Sequence, residues 1–270
     1  MRTLEQLRMV LVRSVWERRT YRTAVVLGVV TAVVGCLQFA IMGQFLQTGN
    51  SFPGLQAYGG DILSFLLTGS IFTGFVNISL GTFSRFVQNE QRSGTLESLV
   101  VSNVSLLRLM IYHGVVGMVG TVLSSAVMLV AFGFVFHVPF DIDVWASALV
   151  LVVLVLTMGS LGLAGCGVLL VTKRGDPITW VLTTLTVLMS GVLYPTSVLP
   201  TWMSATAQWL PTTRALDAMR LTLGAHGDVA AVAPDLLVLV VWCLVAMPVG
   251  VWTFRTGLRR ARRAGSLAEF

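Results

Sequence analysis

Residues 144–172 read VWASALVLVVLVLTMGSLGLAGCGVLLVT, without an Asp, Glu, Lys or Arg among them. About 20 such residues carry a helix across the roughly 30 Å hydrocarbon core of a bilayer, so this stretch predicts a membrane span. Lys173 and Arg174 follow at once. Basic residues beside a span mark the inner side of the membrane. Gly159, Gly162, Gly165 and Gly167 lie within the run. They either wall a path through the membrane or let neighbouring helices approach closely.

Five further apolar stretches surround this one, at 23–46, 62–83, 109–136, 178–199 and 232–254. The predicted fold is therefore all-α and polytopic, with six transmembrane helices. Pro195 and Pro200 interrupt the far end of the fifth. With the N-terminus inside, sixteen of the 18 Lys and Arg fall in inner segments, leaving only Arg214 and Arg220 outside. That bias places both termini in the cytoplasm. Residues 1–22 carry six arginines, and Leu4, Leu7, Leu11 and Val15 recur at helical spacing. They read as an amphipathic helix on the membrane surface, or as an extension of the first span. They are too basic, and the apolar run after them too long, for a secretory signal.

The composition agrees. Hydrophobic residues make up 55% and charged residues 11%, against about 25% charged in soluble domains. Mean hydropathy is +0.83. The whole of 1–270 reads as one membrane domain. The net charge of +6 lies in short runs at membrane edges, where it meets lipid headgroups rather than nucleic acid. Cys36, Cys166 and Cys243 lie in apolar runs and read as small hydrophobes, with no CxxC or His/Cys cluster for a metal.

Two absences bear on energy. A P-loop needs Gly-Lys-Ser/Thr to cradle phosphates. The one lysine, Lys173, stands between Thr172 and Arg174. The chain cannot hydrolyse ATP alone, and no catalytic residues are expected. The interiors of the six stretches also hold no Asp, Glu, Lys or Arg, the groups an ion-driven carrier uses as a relay. His113, one turn into the third stretch, is either a structural hydrogen-bonding group or a relay.

The largest inner connection, 84–108, contains NEQRSGTLESL over 89–99. Gly94 can break the helix leaving the second span. Ser93 or Thr95 can cap a new one, with Glu97 in its first turn. Leu96, Leu99 and Val100 share an apolar face, and Ser105 can cap the third span. The product is a short helix beneath the membrane that either docks in a groove of a cytoplasmic partner or covers the underside of the bundle.

This segment resembles the Glu-x-x-x-Gly-Thr-Leu-Glu signature of the type-2 ABC export permeases, which include antibiotic-resistance and polysaccharide exporters. The resemblance implies that Glu90, Arg92, Gly94, Thr95, Leu96, Glu97 and Leu99 form a coupling helix that contacts an ATPase subunit. The run Asn89-Glu90-Gln91-Arg92 is less charged than its counterparts in the family.

A second stretch carries the same resemblance. Tyr194, Pro195, Pro200 and Trp202 end the fifth span, followed by Trp209, Pro211, Thr212 and Thr213. Chain broken in this way turns back into the interface, where tryptophan is favoured. Thr212 or Thr213 can cap a further helix and Gly224 can end it. Arg214, Asp217 and Arg220 are spaced by three, share a face and can pair. The stretch reads as a candidate exit region or as a packed loop. It is similar to the re-entrant extracellular helices between the last two spans of these permeases.

The resemblance implies a membrane permease of an ATP-driven exporter in the bacterial inner membrane. Its partners would be separate ATPase subunits, which bind ATP and Mg, and a second permease copy as homodimer or homologous heterodimer. Ser70, Gly74, Asn77 and Gly81 in the second span, with Thr183 and Ser190 in the fifth, are candidates for the path, or for tight packing and back-bonded hydroxyls. No charged pocket is visible, which favours an amphipathic or lipid-like cargo. An ion-driven secondary transporter and an assembly protein without cargo are the alternative readings.

Overall fold

The computed structural model describes residues 62–101, 105–136, 143–172, 176–224 and 229–263, with Ile41. The expected surface helix at 1–22, the first span at 23–46 and the outer loop at 47–61 lie outside the described residues, Ile41 apart. The described chain is helical with no strand: α1 Ile62–Arg92, α2 Leu96–Val101, α3 Leu106–Phe136, α4 Val144–Thr172, α5 Pro177–Met189, a 3-10 turn Thr196–Val198, α6 Thr201–Ala207, α7 Pro211–Gly224 and α8 Val229–Arg263.

Four of these helices, α1, α3, α4 and α8, are long and apolar enough to cross a membrane. At 31 residues, α1 is ~46 Å long at 1.5 Å per residue. It overshoots the expected 62–83 and carries its polar end, to Arg92, beyond the hydrocarbon. α1 is also the helix that the others cover. Leu66, Leu67, Phe72, Val76 and Leu80 are all at most 2% exposed. α3, α4, α5 and α7 pack on it, and α8 lies against α4 and α7.

Close backbone approach holds the bundle together. A Cβ on Gly162 of α4 would run into the Leu80 carbonyl of α1, and one on Gly167 would lie 2.6 Å from the Thr253 carbonyl of α8. Gly250 and Gly257 of α8 meet the Ser160 and Gly167 carbonyls of α4 in the same way. Three of the four glycines singled out in α4, Gly162, Gly165 and Gly167, therefore serve packing. Without a hydrophobic drive between helices in lipid, such contact supplies the van der Waals attraction that holds them.

Two apolar clusters result. One, around Leu67, Phe72, Leu154, Met158, Leu216 and Leu239, fills the middle and one end. The other, around Phe86, Met110, Cys166, Leu169 and Phe254, lies toward the arginine-bearing end. Exposed tryptophans mark both edges: Trp145, Trp202 and Trp209 at one, Trp180 and Trp252 toward the other. Their amphipathic rings suit the two membrane–water interfaces.

The fifth stretch differs from expectation. Asp176 caps α5, accepting from the Thr179 N–H at 3.1 Å and its hydroxyl at 2.6 Å, and Pro177 opens it. The helix then stops after 13 residues, ~20 Å of rise, instead of running to 199. Gly191 has φ +83°, and Pro195 keeps Tyr194 out of helical geometry. The chain bends from Ser190 and resumes in short pieces.

Candidate functional site

The segment 89–101 is built as a helix stop followed at once by a helix start. Gly94 has φ +68°. Its N–H donates to Gln91 O and the Thr95 N–H donates to Glu90 O, both at 3.0 Å. This pair of bonds closes a helix around a left-handed glycine. The Thr95 carbonyl then accepts from the Leu99 N–H at 3.1 Å and the Ser98 hydroxyl at 2.7 Å, which opens α2. The Thr95 hydroxyl turns back to donate to the Glu90 carboxylate. The spacing Glu-x-x-x-Gly-Thr is thus the spacing of the stop itself: Glu90 supplies the carbonyl that Thr95 closes on, and Gly94 supplies the turn.

The apolar face of α2 points inward. Leu96 is 1% exposed and packs among Phe86, Val87, Leu106 and Met110, with Leu99 half-buried beside it. Leu96, expected on a partner-facing surface, instead ties α2 to its own bundle, because that cluster offered the nearest apolar surface. Arg92, Ser93, Gly94, Thr95 and Ser98 are exposed. Glu97 falls in the first turn of α2, with its side chain outside the described residues. Ser105 accepts from the Arg108 and Leu109 N–H groups and starts α3, as its position predicts.

The path candidates on α1 occupy one face. Ser70 and Gly74 are half-buried and Asn77 is exposed. Gly81 lies under the Arg85 guanidinium, which folds back along the helix to donate to Asn77 O at 3.0 Å. Thr73 belongs to the same stripe, with its hydroxyl on Gly69 O at 2.8 Å. Spacing found the stripe and missed Arg85, whose Cα lies a turn beyond it. On α5, Thr183 is half-buried, whereas Ser190 is fully buried and its hydroxyl donates to Thr186 O. Gly74 approaches Thr121 of α3, and α5 packs on α1 near the break.

The outer segment is tied down at several points. Tyr194 OH donates to Leu188 O at 2.6 Å. Pro195 is buried and Pro200 exposed. Trp202 stands at the surface, and the Trp209 carbonyl accepts from Trp242 Nε1 at 3.0 Å. α7 opens at Pro211, one residue before the expected caps Thr212 and Thr213, because proline is already set for the first helical position. It ends at Gly224, as predicted.

The arginines of α7 reach to other helices. Arg214 pairs with Asp235 of α8 at 3.2 Å and donates to Gln208 O at 2.9 Å. Arg220, 6% exposed, donates to Gly191 O at 2.9 Å, with its Cζ 3.6 Å from the Phe65 ring centroid. Asp217 lies between them on the same helix, half-buried. The sequence left the span interiors free of charge. Asp235 corrects that reading, being buried near the start of α8. Its only sequence signal is an acid inside an apolar run. Among the described residues no His, Cys, Asp and Glu gather as a metal site requires.

Apolar helices of spanning length, tryptophan edges and close glycine packing define a multi-pass membrane protein. The family described as ABC-2 type transporter matches residues 5–223, and the chain belongs to it. No curated protein matches the sequence. Membership makes the chain a membrane permease of an ABC transporter, its transmembrane component, and implies association with ABC ATPase subunits.

Proposed function

We propose that the protein is the permease subunit of an ATP-driven exporter that moves an amphipathic, drug-like, lipid-like or glycan-like cargo outward across the bacterial cytoplasmic membrane. It works with a second permease copy and with separate ATPase chains that bind ATP and Mg. The observation that carries this reading is the helix stop at 90–95. It places α2 off the polar end of the most buried helix and locks it there through Leu96.

An ATPase pressing on Arg92, Thr95 and Ser98 moves α2. Leu96 passes the displacement to α1, α3, α4 and α8, which meet in the cluster around it. Packed interfaces of this kind shift as rigid bodies between discrete arrangements, which suits alternating access. The polar stripe Ser70, Gly74, Asn77 and Gly81, with Thr183, is the proposed wall of the path. The segment holding Tyr194, Pro195, Pro200, Trp202, Arg214 and Asp217 is its proposed outer end, and Ser190 sits at the hinge between them.

The test is ATP turnover of the chain reconstituted in lipid nanodiscs with its ATPase. Arg92→Glu and Ser98→Arg change exposed side chains without disturbing Leu96. The expected result is a weakened complex and turnover no longer altered by the permease. Full complex formation and unchanged turnover in both variants would overturn the coupling assignment.

A further inference from the structure

A groove of about 770 Å³ runs between α3 on one side and α4 and α8 on the other, with α1 as its floor. Along α3 it extends from Leu107 to Ala126, ~29 Å at helical rise and longer than the ~15 Å hydrocarbon half-thickness of one leaflet. Its walls include Ile78, Phe83, Val115, Val119, Leu156 and Val251.

Three hydroxyls reach the groove, and each is already bonded to its own helix: Ser79 to Phe75 O at 2.7 Å, Thr82 to Ile78 O at 2.5 Å and Ser160 to Leu156 O at 2.6 Å. The lining holds no charged side chain. A polar solute would lose its hydration here and gain no hydrogen bond in return. An aliphatic chain fits without that loss.

The arginine-bearing end of the groove has different chemistry. On α3, Arg108 precedes Ile111, Val115, Val119 and Val122 at spacings of three, four, four and three, so it continues the wall those residues form. On α8, Arg255 follows Met247 and Val251 at spacings of four. Both guanidinium-bearing residues are exposed. The α3 start and the α8 end lie at the same end of the bundle, since α4 and α8 run parallel and α3 antiparallel to α1. Charge bias makes this the inner face.

We propose that the groove is a binding site for one anionic glycerophospholipid of the inner leaflet, with an acyl chain along α1 and the phosphate between Arg108 and Arg255. The site is separate from the polar stripe at Ser70, Gly74 and Asn77, so it does not depend on the cargo reading.

Native mass spectrometry of the full chain, titrated with phosphatidylglycerol or phosphatidylcholine, tests it. Wild type should retain phosphatidylglycerol preferentially. Arg108→Gln and Arg255→Gln should each weaken that retention about fivefold, since a basic residue at a membrane surface contributes about 1 kcal/mol. Retention of phosphatidylcholine should not change in these variants. Val119→Trp, at an exposed position in the wall, should fill the groove and lower retention of both lipids. Equal retention of both lipids by wild type, or no effect of any variant, would overturn the proposal. So would efficient cross-linking of Val119→Cys in membranes to Cys36 of the same chain or to a second copy, because protein would then occupy the groove.

Discussion

The Arg220 guanidinium donates to the carbonyl oxygen of Gly191 across 29 residues of sequence, at 2.9 Å. Gly191 is where α5 breaks, with φ +83°. The next residue, Val192, presses its carbonyl against Gly69 of α1, where a Cβ would stand 2.5 Å from it. Arg220 also lies on the Phe65 ring of α1. One side chain therefore joins the broken end of α5, the re-entrant α7 and the central helix. A buried cation in apolar surroundings persists only with such partners.

Replacing Arg220 should accordingly loosen the outer end of the bundle. Arg220→Met keeps an apolar stem but leaves the Gly191 carbonyl without this donor, at a cost of about 1–3 kcal/mol. Arg220→Lys keeps the charge but loses the planar fork and its stacking on Phe65. Both variants should lower the thermal unfolding midpoint of the purified protein in detergent. A lysine variant as stable as wild type would show that charge alone suffices.

Gly94 and Thr95 give a contrasting case. A Cβ on Gly94 meets nothing within 4 Å, so Gly94→Ala should cost only the left-handed backbone term, about 1–2 kcal/mol. Gly94→Asn should cost less, since asparagine tolerates that region. Thr95→Val removes the hydroxyl bond to the Glu90 carboxylate and keeps the shape. Thermal unfolding should shift modestly in the alanine variant and hardly at all in Thr95→Val. ATP turnover of the assembled transporter should respond to both, because each changes how α2 is held.

The helix stop was legible because its cause is local: Gly94, Thr95 and Ser105 act within five residues of their partners. The long apolar runs were legible for the same reason, each run containing its own signal. The inward turn of Leu96 was not, since an apolar face shows that something covers it without showing what. The ties from Arg220 to Gly191 and from Arg214 to Asp235 join residues 29 and 21 apart. Spacing by three on α7 suggested pairing within the helix, and the packing of α7 against α5 and α8 supplied partners elsewhere. The early end of α5 was marked by Gly191, but in a membrane span a glycine is equally compatible with close helix packing.

The α4–α8 contact predicts sensitivity to a single methyl group. Gly257 faces the Gly167 backbone, and Gly167 faces that of Thr253. Neither neighbour is a flexible side chain that can move aside. Gly167→Ala and Gly257→Ala should each destabilise by about 1–3 kcal/mol or more, whereas alanine at Gly133, where nothing lies within 4 Å, should be tolerated. Yield and monodispersity after detergent extraction provide the comparison. Equal behaviour of the three variants would mean that the helices can separate freely at this contact.

The two members of the Arg214–Asp235 pair differ in exposure, with side chains 37% and 13% exposed. That difference makes the two single substitutions unequal. In Asp235→Asn the arginine left behind can regain water and keeps its bond to Gln208 O, so the loss should stay near 1 kcal/mol. In Arg214→Gln a carboxylate remains near the start of α8 with its cationic partner gone, and its desolvation is no longer offset. That loss should approach the 3 kcal/mol at the lower end for broken buried pairs. The double variant should recover part of it, since two neutral amides need no counter-charge. Thermal unfolding of the four proteins in one detergent closes the cycle. If Asp235→Asn proves the more damaging single change, the carboxylate has a role beyond pairing, and the outer end of α8 becomes a place to look for cargo contact.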